Sequence, residues 1–277
     1  MTQLHSRTLS KQQTHQYHQD GFFVARGLLG HDEVVRIRDT FMEQAAQGPV
    51  VGLNEVGRIT DHHDPLYLYP RMMHPHRYPD KPVGQLAMTY LLEPRIGAIL
   101  RDLLDDEPIA AQTMFYFKPP GARGQDLHQD NFFLRVTPGS CMAAWIAVDD
   151  ADSENGGMVV VPGSHRLDIV CPEQADSSQS FTKEHVEPPA GMRQEPVDLK
   201  AGDVLFFNGS VIHGSYPNTS EDRFRRAFIS HYVPRSCHEV ANGYHPLYDF
   251  NGNVVSKEVS SGGGVCGEVQ AVAKEPH

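Results

Sequence analysis

Five short runs rich in β-branched and aromatic residues lie in the second half of the chain, and they limit the fold more than any other feature of the sequence. Each is separated from the next by segments containing Gly, Pro, Asn or Asp, as strands joined by turns are. The runs are AAQTMFYFK (110–118), CMAAWIAV (141–148), GMVVV (157–161), DVLFF (203–207) and RAFISHYV (226–233). Strands of this kind predict a β-sandwich or barrel, and their spacing with intervening Gly and Pro favours a jelly roll.

The first hundred residues show a different periodicity and are predicted to be mainly helical. Residues 31–47 carry apolar side chains at helical spacing, and Gly48 and Pro49 end the run. Further helices are expected from near Pro82 and after Pro94. The sequence thus predicts a mainly β fold with helices packed on one face of the β structure.

We expect a single domain over residues 1–277. It divides into a helical part (1–109), a jelly-roll core (110–235) and a C-terminal extension (236–277). Segment 58–80, rich in Pro, His and Tyr, is predicted to be an ordered loop. The insertion at 164–200 has too few apolar residues for a buried element and is predicted to be a lid or binding loop. The tail from Ser260 is expected to be mobile.

Composition excludes several classes of partner. The chain has 24 basic and 35 acidic residues and a formal net charge of −11, which argues against general affinity for nucleic acid or an anionic membrane. It contains no apolar run of signal-peptide or membrane-spanning length. Four scattered cysteines without a C-x-x-C pair predict reduced thiols and a cytoplasmic location; they are Cys141, Cys171, Cys237 and Cys266.

The run DLHQDNFFLR (126–135) contains the strongest candidate for a metal site. His128 and Asp130 are two residues apart, and in a strand such residues share a face. The best third ligand is His213, which follows an aromatic strand in DVLFFNGSVIHGSYPN. Two histidines and one carboxylate on one face of a metal, with the remaining positions open, are the ligand set of non-haem Fe(II) oxygenases.

Three arginines after His213 offer an anchor for a carboxylate. In EDRFRRAFISHYV, the residues Arg223, Arg225 and Arg226 are predicted to open an alternating strand. A guanidinium can donate two parallel hydrogen bonds to a carboxylate, as the far end of a 2-oxo acid would require. For any one of them, a surface salt bridge is an equally good interpretation.

The sequence resembles the phytanoyl-CoA dioxygenase family of Fe(II)- and 2-oxoglutarate-dependent oxygenases. The resemblance runs from YHQDGFFVARGLL near the start to RAFISHYVP near residue 234. Its most specific segments are YFKPPG, LHQDN, AAWIAVDDADSENGGMVVVPGSHR and IHGSYPNTSEDRFRRAFISHYV.

This resemblance implies a double-stranded β-helix, a cupin-like jelly roll, with His128, Asp130 and His213 as iron ligands. It also implies that Arg225 binds 2-oxoglutarate, with Arg223 as the reserve candidate. Four further residues match positions that contact the 2-oxo acid or lie near it: Gln129, Ser215, Lys118 and Trp145. His165 in PGSHR is not expected to be a ligand.

The function implied is that of a dioxygenase using Fe(II), 2-oxoglutarate and O2, most simply a hydroxylase that releases succinate and CO2. Related halogenases replace the carboxylate ligand, so Asp130 favours hydroxylation. The substrate is expected to be a small polar or anionic metabolite, because the loop before the core concentrates cationic or titratable residues. A CoA thioester is less expected, because the chain has no broad basic surface. The loop residues are Arg58, His62, His63, Arg71, His74, His76 and Arg77.

Two rival interpretations remain at this point. A non-catalytic metal-binding jelly roll would need the fold but not the arginine. A cupin-type metalloenzyme that does not use 2-oxoglutarate would gather more histidines at the metal. The sequence indicates no oligomeric state.

Overall fold

A computed structural model describes residues 7–57, 59–260 and 266.

The helices begin where the sequence provides capping residues or a proline. Ser10 and Gln13 form a capping box at the first helix, and the fourth and fifth helices start with proline, whose missing N–H costs nothing there. The α-helices are α1 (Lys11–Asp20), α2 (His31–Ala46), α3 (Pro65–Leu68), α4 (Pro82–Leu91), α5 (Pro94–Leu104) and α6 (Asn131–Leu134). Short 3₁₀-helices cover Pro75–Arg77, Ser164–Arg166 and Asn242–Tyr244.

Strands are the main regular structure of the chain after residue 107. The longer ones are β3 (Pro108–Tyr116), β4 (Gln125–His128), β5 (Met142–Ala147), β10 (Val204–Asn208) and β12 (Ala227–Pro234). The shorter ones are β1 (Phe22–Ala25), β2 (Met72–Met73), β6 (Met158–Val160), β7 (Glu173–Gln174), β8 (Glu184–His185), β9 (Glu195–Val197), β11 (His213–Ser215), β13 (Glu239–Val240), β14 (Leu247–Tyr248), β15 (Val254–Val255) and β16 (Glu258–Val259). The five predicted strand runs and the predicted helices at 31–47, 82 and 94 are confirmed.

Two antiparallel sheets build the core of the fold. The larger has the order β1-β10-β5-β12-β3-β14-β15, with β2 paired to β3, and the smaller has the order β4-β11-β6-β9. The order does not follow the sequence, as expected of a jelly roll. The predicted fold class, mainly β with helices on one face, is confirmed.

Apolar side chains fill both faces of the larger sheet. On the helical side, Phe41 of α2 stacks on Phe115 of β3 with ring centroids 4.1 Å apart. On the other side, Met114, Trp145 and Ile229 belong to a buried cluster that also includes Met158 of the smaller sheet. Because strand side chains alternate between faces, β3 contributes to both layers and positions its inward residues over the space between the sheets.

Two strands of the larger sheet, β1 and β2, come from the part predicted to be mainly helical. Residues Phe22–Ala25 form β1 and pair antiparallel with β10, with Phe22 opposite Phe207. The sequence did not predict a strand here. A run of four residues is too short for an alternating pattern to be recognised.

The insertion at 164–200 has more structure than its composition predicts. It contains β7, β8 and β9, and β9 is the edge strand of the smaller sheet. Val186 is buried against the outer face of that sheet with Leu127 and Ile212. The expectation that this segment holds no buried element is wrong, because a few apolar residues suffice to cover one face of a short sheet.

The loop at 58–80 contains α3, β2 and a 3₁₀ turn, so it is ordered, as predicted, but not wholly irregular. Of the tail from Ser260 that was predicted to be mobile, only Ser260 and Cys266 are among the described residues. Cys171 and Cys266 form a disulfide, so the prediction of four reduced thiols is wrong and cysteine usage no longer supports a cytoplasmic location. No helix among the described residues is both long and apolar enough to cross a bilayer.

Candidate metal centre and co-substrate cleft

Three buried side chains converge between the two sheets. Strands β4 and β11 are antiparallel neighbours in the smaller sheet, and His128 lies directly opposite His213. Asp130 Oδ1 lies 3.5 Å from His128 Nε2 and 3.6 Å from His213 Nε2. One ligand atom from each of the three residues lies within 4.8 Å of the others, so a single ion could contact all three.

Backbone carbonyls orient both imidazoles. His128 Nδ1 lies 2.8 Å from the carbonyl oxygen of Asp126, and His213 Nδ1 lies 3.0 Å from that of Val211. A carbonyl only accepts, so each Nδ1 carries the proton and each Nε2 lone pair is available to a metal. Burial lowers the pKa of His213 to about 4, which keeps this ring in the neutral form that binds metal.

Asp130 reaches the centre by a different route from the predicted one. β4 ends at His128, and Asp130 has α-helical torsion angles (φ −59°, ψ −36°) at the start of α6. The argument that the two residues share a strand face is therefore wrong, although the three predicted residues do meet. A turn after β4, rather than strand alternation, places the carboxylate beside the imidazole.

The second oxygen of Asp130 is held by a residue that sequence reasoning missed. His231 Nε2 lies 2.9 Å from Asp130 Oδ2, and the Gln112 amide nitrogen lies 3.1 Å from His231 Nδ1. In this arrangement Gln112 donates to Nδ1 and His231 donates from Nε2 to the carboxylate. The alternation of RAFISHYV contains the signal, since His231 and Ile229 share the inward face of β12.

A cleft opens beside the three residues. Its walls combine apolar and polar side chains from both sheets: Met114, Tyr116, Gln125, His128, Asp130, Trp145, Met158, Phe207, His213, Gly214, Ser215, Arg225, Ile229 and His231. The predicted residues Trp145, Ser215 and Arg225 thus share one cleft with the candidate ligands. The Gln125 amide nitrogen lies 3.2 Å from His128 Nε2, a neighbour that the sequence did not single out.

Arg225 is a buried cation without a nearby acid. Its Nε donates to the carbonyl of Gly156 at 2.9 Å, and its guanidinium carbon lies 5.4 Å from the centroid of the Trp145 ring. Within the described chain, no carboxylate lies within ion-pair distance of it. Burial lowers its pKa to about 10, so it is still a cation at neutral pH.

The neighbouring arginines are paired on the outside. Arg223 forms ion pairs with Asp152 and Glu154, and Arg226 forms a bidentate pair with Asp149. All three arginines precede β12, which begins at Ala227, so the prediction that they open the strand is wrong. Only Arg225 of the three lines the cleft.

Lys118 approaches the cleft from behind Ser215. Its Nζ donates to Ser215 Oγ at 2.7 Å and to the carbonyl of Tyr216 at 2.6 Å. Burial, aided by Arg225, lowers the pKa of Lys118 well below its usual value. Gly156 allows this approach, because a Cβ there would lie 2.3 Å from Lys118 Cδ and the residue has φ +88°.

Gln129 does not line the cleft. Its amide nitrogen donates to the carbonyl of Ser210, and its amide oxygen accepts from the backbone N–H of Val170. The side chain is buried and connects the turn before β11 to the insertion. His165 also lies away from the centre, with Nε2 3.2 Å from the carbonyl of His18.

A second cavity adjoins the cleft, and Tyr116 and Arg225 line both. On its far wall Arg71 donates to Glu55 through Nε and Nη2, at 2.6 and 2.9 Å, and to the Tyr116 hydroxyl at 2.5 Å. Glu55, Ile59, Leu66 and Pro70 line both this cavity and a wider groove beside it.

The sequence model of the phytanoyl-CoA dioxygenase family matches residues 17–227. The chain belongs to this family. Phytanoyl-CoA dioxygenase 1 of Oryza sativa subsp. japonica is 32% identical to it over 127 residues, which are 45% of each chain. Alignments with the first relatives span only 45% to 58% of their length.

Solved structures similar to this family member share its fold. EctD from S. alaskensis, crystallised with 2-oxoglutarate and 5-hydroxyectoine, superimposes with a TM-score of 0.65 and 20% identity, covering 86% of this chain and 80% of EctD. SnoN, a non-haem α-ketoglutarate-dependent epimerase from nogalamycin biosynthesis, gives a TM-score of 0.63 and 20% identity, covering 82% and 83%. At such identities the likeness establishes the fold alone.

Proposed function

We propose that the chain is an Fe(II)- and 2-oxoglutarate-dependent oxygenase that acts on a small metabolite, most simply by hydroxylation. One observation carries the proposal: a two-histidine, one-carboxylate cluster and a buried arginine without an acid partner lie in the same cleft. The first fits an open Fe(II) site. The second fits the far carboxylate of a 2-oxo acid.

His128, Asp130 and His213 would hold the iron in this proposal. Both imidazoles have their tautomer set by backbone carbonyls, and His231 holds Asp130 through its outer oxygen. When bound, Fe(II) and 2-oxoglutarate would supply the O2 activation and the electrons for it, with release of succinate and CO2. The fixed ligand geometry requires little rearrangement when the metal binds.

Arg225 and Ser215 would bind the far carboxylate of 2-oxoglutarate. Lys118 would act through Ser215, because its Nζ donates to Oγ and so leaves the hydroxyl proton free to point at a ligand. Trp145 would support Arg225 from one side. Gln129 has no part in this assignment, since both ends of its amide already bond within the protein.

The apolar wall of the cleft would exclude water from the reacting carbon. Met114, Met158, Phe207 and Ile229 line it beside the candidate ligands, and a dry site strengthens the electrostatic contacts within it. The substrate would enter through the second cavity and the groove along 55–70. Together these spaces suit a free small metabolite better than a CoA thioester, and Asp130 favours hydroxylation over halogenation.

The proposal also takes residues 1–277 as a single oxygenase domain. Strand β1 supports this, because it ties the N-terminal part into the larger sheet beside β10.

Anaerobic titration with Fe(II) and then 2-oxoglutarate tests the proposal. The wild-type apoprotein should develop the visible metal-to-ligand charge-transfer band of the chelate, and Asp130→Ala should not. Asp126→Ala is the matched control, because its side chain bonds to His185 rather than facing the cleft, and it should develop the band.

Iron binding without the band in wild type would refute the 2-oxoglutarate assignment. It would favour a cupin-type metalloenzyme or a non-catalytic metal-binding jelly roll. A band of full intensity in Asp130→Ala would remove the ligand assignment. Once the band is established, succinate release can be used to screen metabolites.

A further inference from the structure

A second group of buried polar side chains lies close to the cleft, in the segment MHPHR (73–77) that connects β2 to α4. Met73 packs in the same buried cluster as Met114, Trp145 and Ile229, which line the cleft. The residue after it, His74, is buried with φ +49° and its backbone N–H donates to the carbonyl of Thr113. The segment therefore runs along the outside of the cleft wall formed by β3.

Four side-chain atoms of this segment are buried and have no hydrogen-bond partner among the described residues. They are both ring nitrogens of His74, Nε2 of His76 and Nε of Arg77. His74 and His76 are 7% and 3% exposed, and their ring centroids lie 5.8 Å apart. Leaving buried donors and acceptors unpaired is costly, so such a concentration in five residues calls for a ligand.

The hydrogen positions around His76 show which groups are offered. Thr113 Oγ1 accepts from the backbone N–H of His76 and lies 2.7 Å from His76 Nδ1. The hydroxyl has one proton to donate and can accept two hydrogen bonds, so it fits either tautomer of His76; the tautomer in which it donates to Nδ1 places the His76 proton on Nε2. In that tautomer His76 Nε2–H, one N–H of His74 and Arg77 Nε–H are three buried donors within one five-residue segment, while Arg77 Nη2 already donates to the carbonyl of Gly243 at 2.9 Å.

The charges around these donors are of one sign. Burial is the main cause that lowers the pKa of both histidines. Arg77, His76 and His231 lower the pKa of His74 further, and Arg77 lowers that of His76 further. Burial lowers the pKa of His74 to about 2 and that of His76 to about 3. The rings are thus neutral, Arg77 is the cation, and Tyr244 and Tyr248 pack edge-on against the two rings as uncharged walls.

The other cationic or titratable residues of the loop do not share these properties. Arg71 is paired with Glu55 through two hydrogen bonds. His62 and His63 are exposed. Among the described members of this set, the choice that the sequence left open therefore narrows to His74, His76 and Arg77.

We propose that His74, His76 and Arg77 form the recognition site for a carboxylate group of the substrate. This inference rests on the proposed function and narrows its substrate class to metabolites that carry an acid group remote from the oxidised carbon. The carboxylate would neutralise Arg77 and accept from both imidazoles. His231 links the two sites, since it contacts Asp130 and lies within electrostatic range of His74.

Butyrate and butyramide are matched probes for this site, because they share a shape and differ in charge. The protein is labelled with [¹⁵N]histidine and loaded anaerobically with Zn(II) and 2-oxoglutarate, so that the metal and Arg225 are already occupied. Butyrate should shift the imidazole resonances of His74 and His76 in a saturable way, and butyramide should not. The two residues are assigned from the resonances lost in His74→Asn and His76→Leu.

Arg77→Gln should weaken the butyrate response about tenfold or more, because a charge-assisted bond is lost, and Arg77→Lys should retain part of it. His62→Gln, on an exposed position of the same loop, should respond as wild type does. The wild-type comparison of the two probes shows by itself whether any imidazole responds to butyrate and not to butyramide, and one folded variant of the two is enough to assign a responding resonance.

Failure of the inference and failure of the proposed function are distinguishable here. If 2-oxoglutarate does not bind the Zn(II) protein, the proposed function fails. If it binds and butyrate leaves both resonances unmoved, or butyramide moves them equally, the carboxylate site is wrong and the segment is a hydrated part of the core.

Discussion

Two arginines on opposite walls of the adjoining cavities are both buried, and they differ in what neutralises them. Arg71 donates to both oxygens of Glu55 and to the Tyr116 hydroxyl. Arg225 has a carbonyl and the face of an indole, with no carboxylate within ion-pair distance in the described part of the chain. A buried charge must be compensated. Arg71 is compensated by the protein, whereas Arg225 is left for a ligand.

Other buried side chains around the centre also differ in whether the described part of the protein supplies their hydrogen-bond partners. Asp130 has its outer oxygen held by His231, which is the pattern of a side chain positioned by the fold. His74 and His76 have ring nitrogens without partners among the described residues, which is the pattern of side chains that wait for a ligand. Burial alone does not distinguish the two kinds, and the hydrogen-bond partners do.

Replacing Arg225 should give the largest effect. Arg225→Gln should raise the Kd for 2-oxoglutarate about 100-fold, because one partner of a buried charge pair is lost, while the free energy of unfolding stays unchanged or rises. The charge-transfer band measures the first and denaturant unfolding the second. Arg223→Gln is the control and should leave the Kd unchanged; a weaker Kd there would move the anchor to Arg223.

Arg71→Gln should show the opposite behaviour. It should lower the free energy of unfolding by about 2–3 kcal/mol, because Glu55 loses its partner in a largely buried setting, and leave the Kd for 2-oxoglutarate within a factor of a few. Urea unfolding of the apoprotein measures the loss. If stability were unaffected and 2-oxoglutarate binding lost, the contrast between the two arginines would be wrong.

His231→Phe should weaken Fe(II) binding about tenfold or more, because residues that orient metal ligands have effects of that size. Binding of 2-oxoglutarate at saturating iron should change little, since Arg225 is untouched. Competition with a chromophoric chelator measures the iron affinity. His238→Phe, at an exposed position, is the control, and equal loss in both variants would argue against a positioning role.

Acid should destabilise the apoprotein through its buried, neutral histidines. The pKa values of His74 and His76 fall to about 2 and 3, against 6.5 when exposed. Below pH 6.5 the unfolded chain binds protons that the folded chain does not, so stability falls with pH. Between pH 6.5 and 5 each histidine should contribute roughly 1 kcal/mol per pH unit.

Urea unfolding at pH 7, 6 and 5 measures this dependence. The double variant His74→Asn/His76→Leu should lose less stability over the range than wild type, and His62→Gln should match wild type. Identical slopes in all three proteins would mean that the two histidines are not held neutral by burial.

Much of the fold could be predicted from local patterns. The strands at 110–118, 141–148, 203–207 and 226–233 each alternate or carry β-branched and aromatic residues over at least five positions, and helical stripes mark α2, α4 and α5. β1 could not be found this way, because four residues become a strand only when β10 offers an edge to pair with. The disulfide between Cys171 and Cys266 likewise depends on a meeting across 95 residues.

The candidate site was predictable in its residues and less so in its reasons. Residue type and motif spacing were enough to single out His128, Asp130 and His213 as candidate ligands, because both are local properties. Three further features depend on the tertiary structure. A turn rather than a strand delivers Asp130, and His231 holds its carboxylate. Arg225 faces the cleft, whereas Arg223 is paired outside it. These outcomes depend on which distant group meets each side chain, and hydrogen bonds between residues a hundred positions apart leave no mark in local sequence.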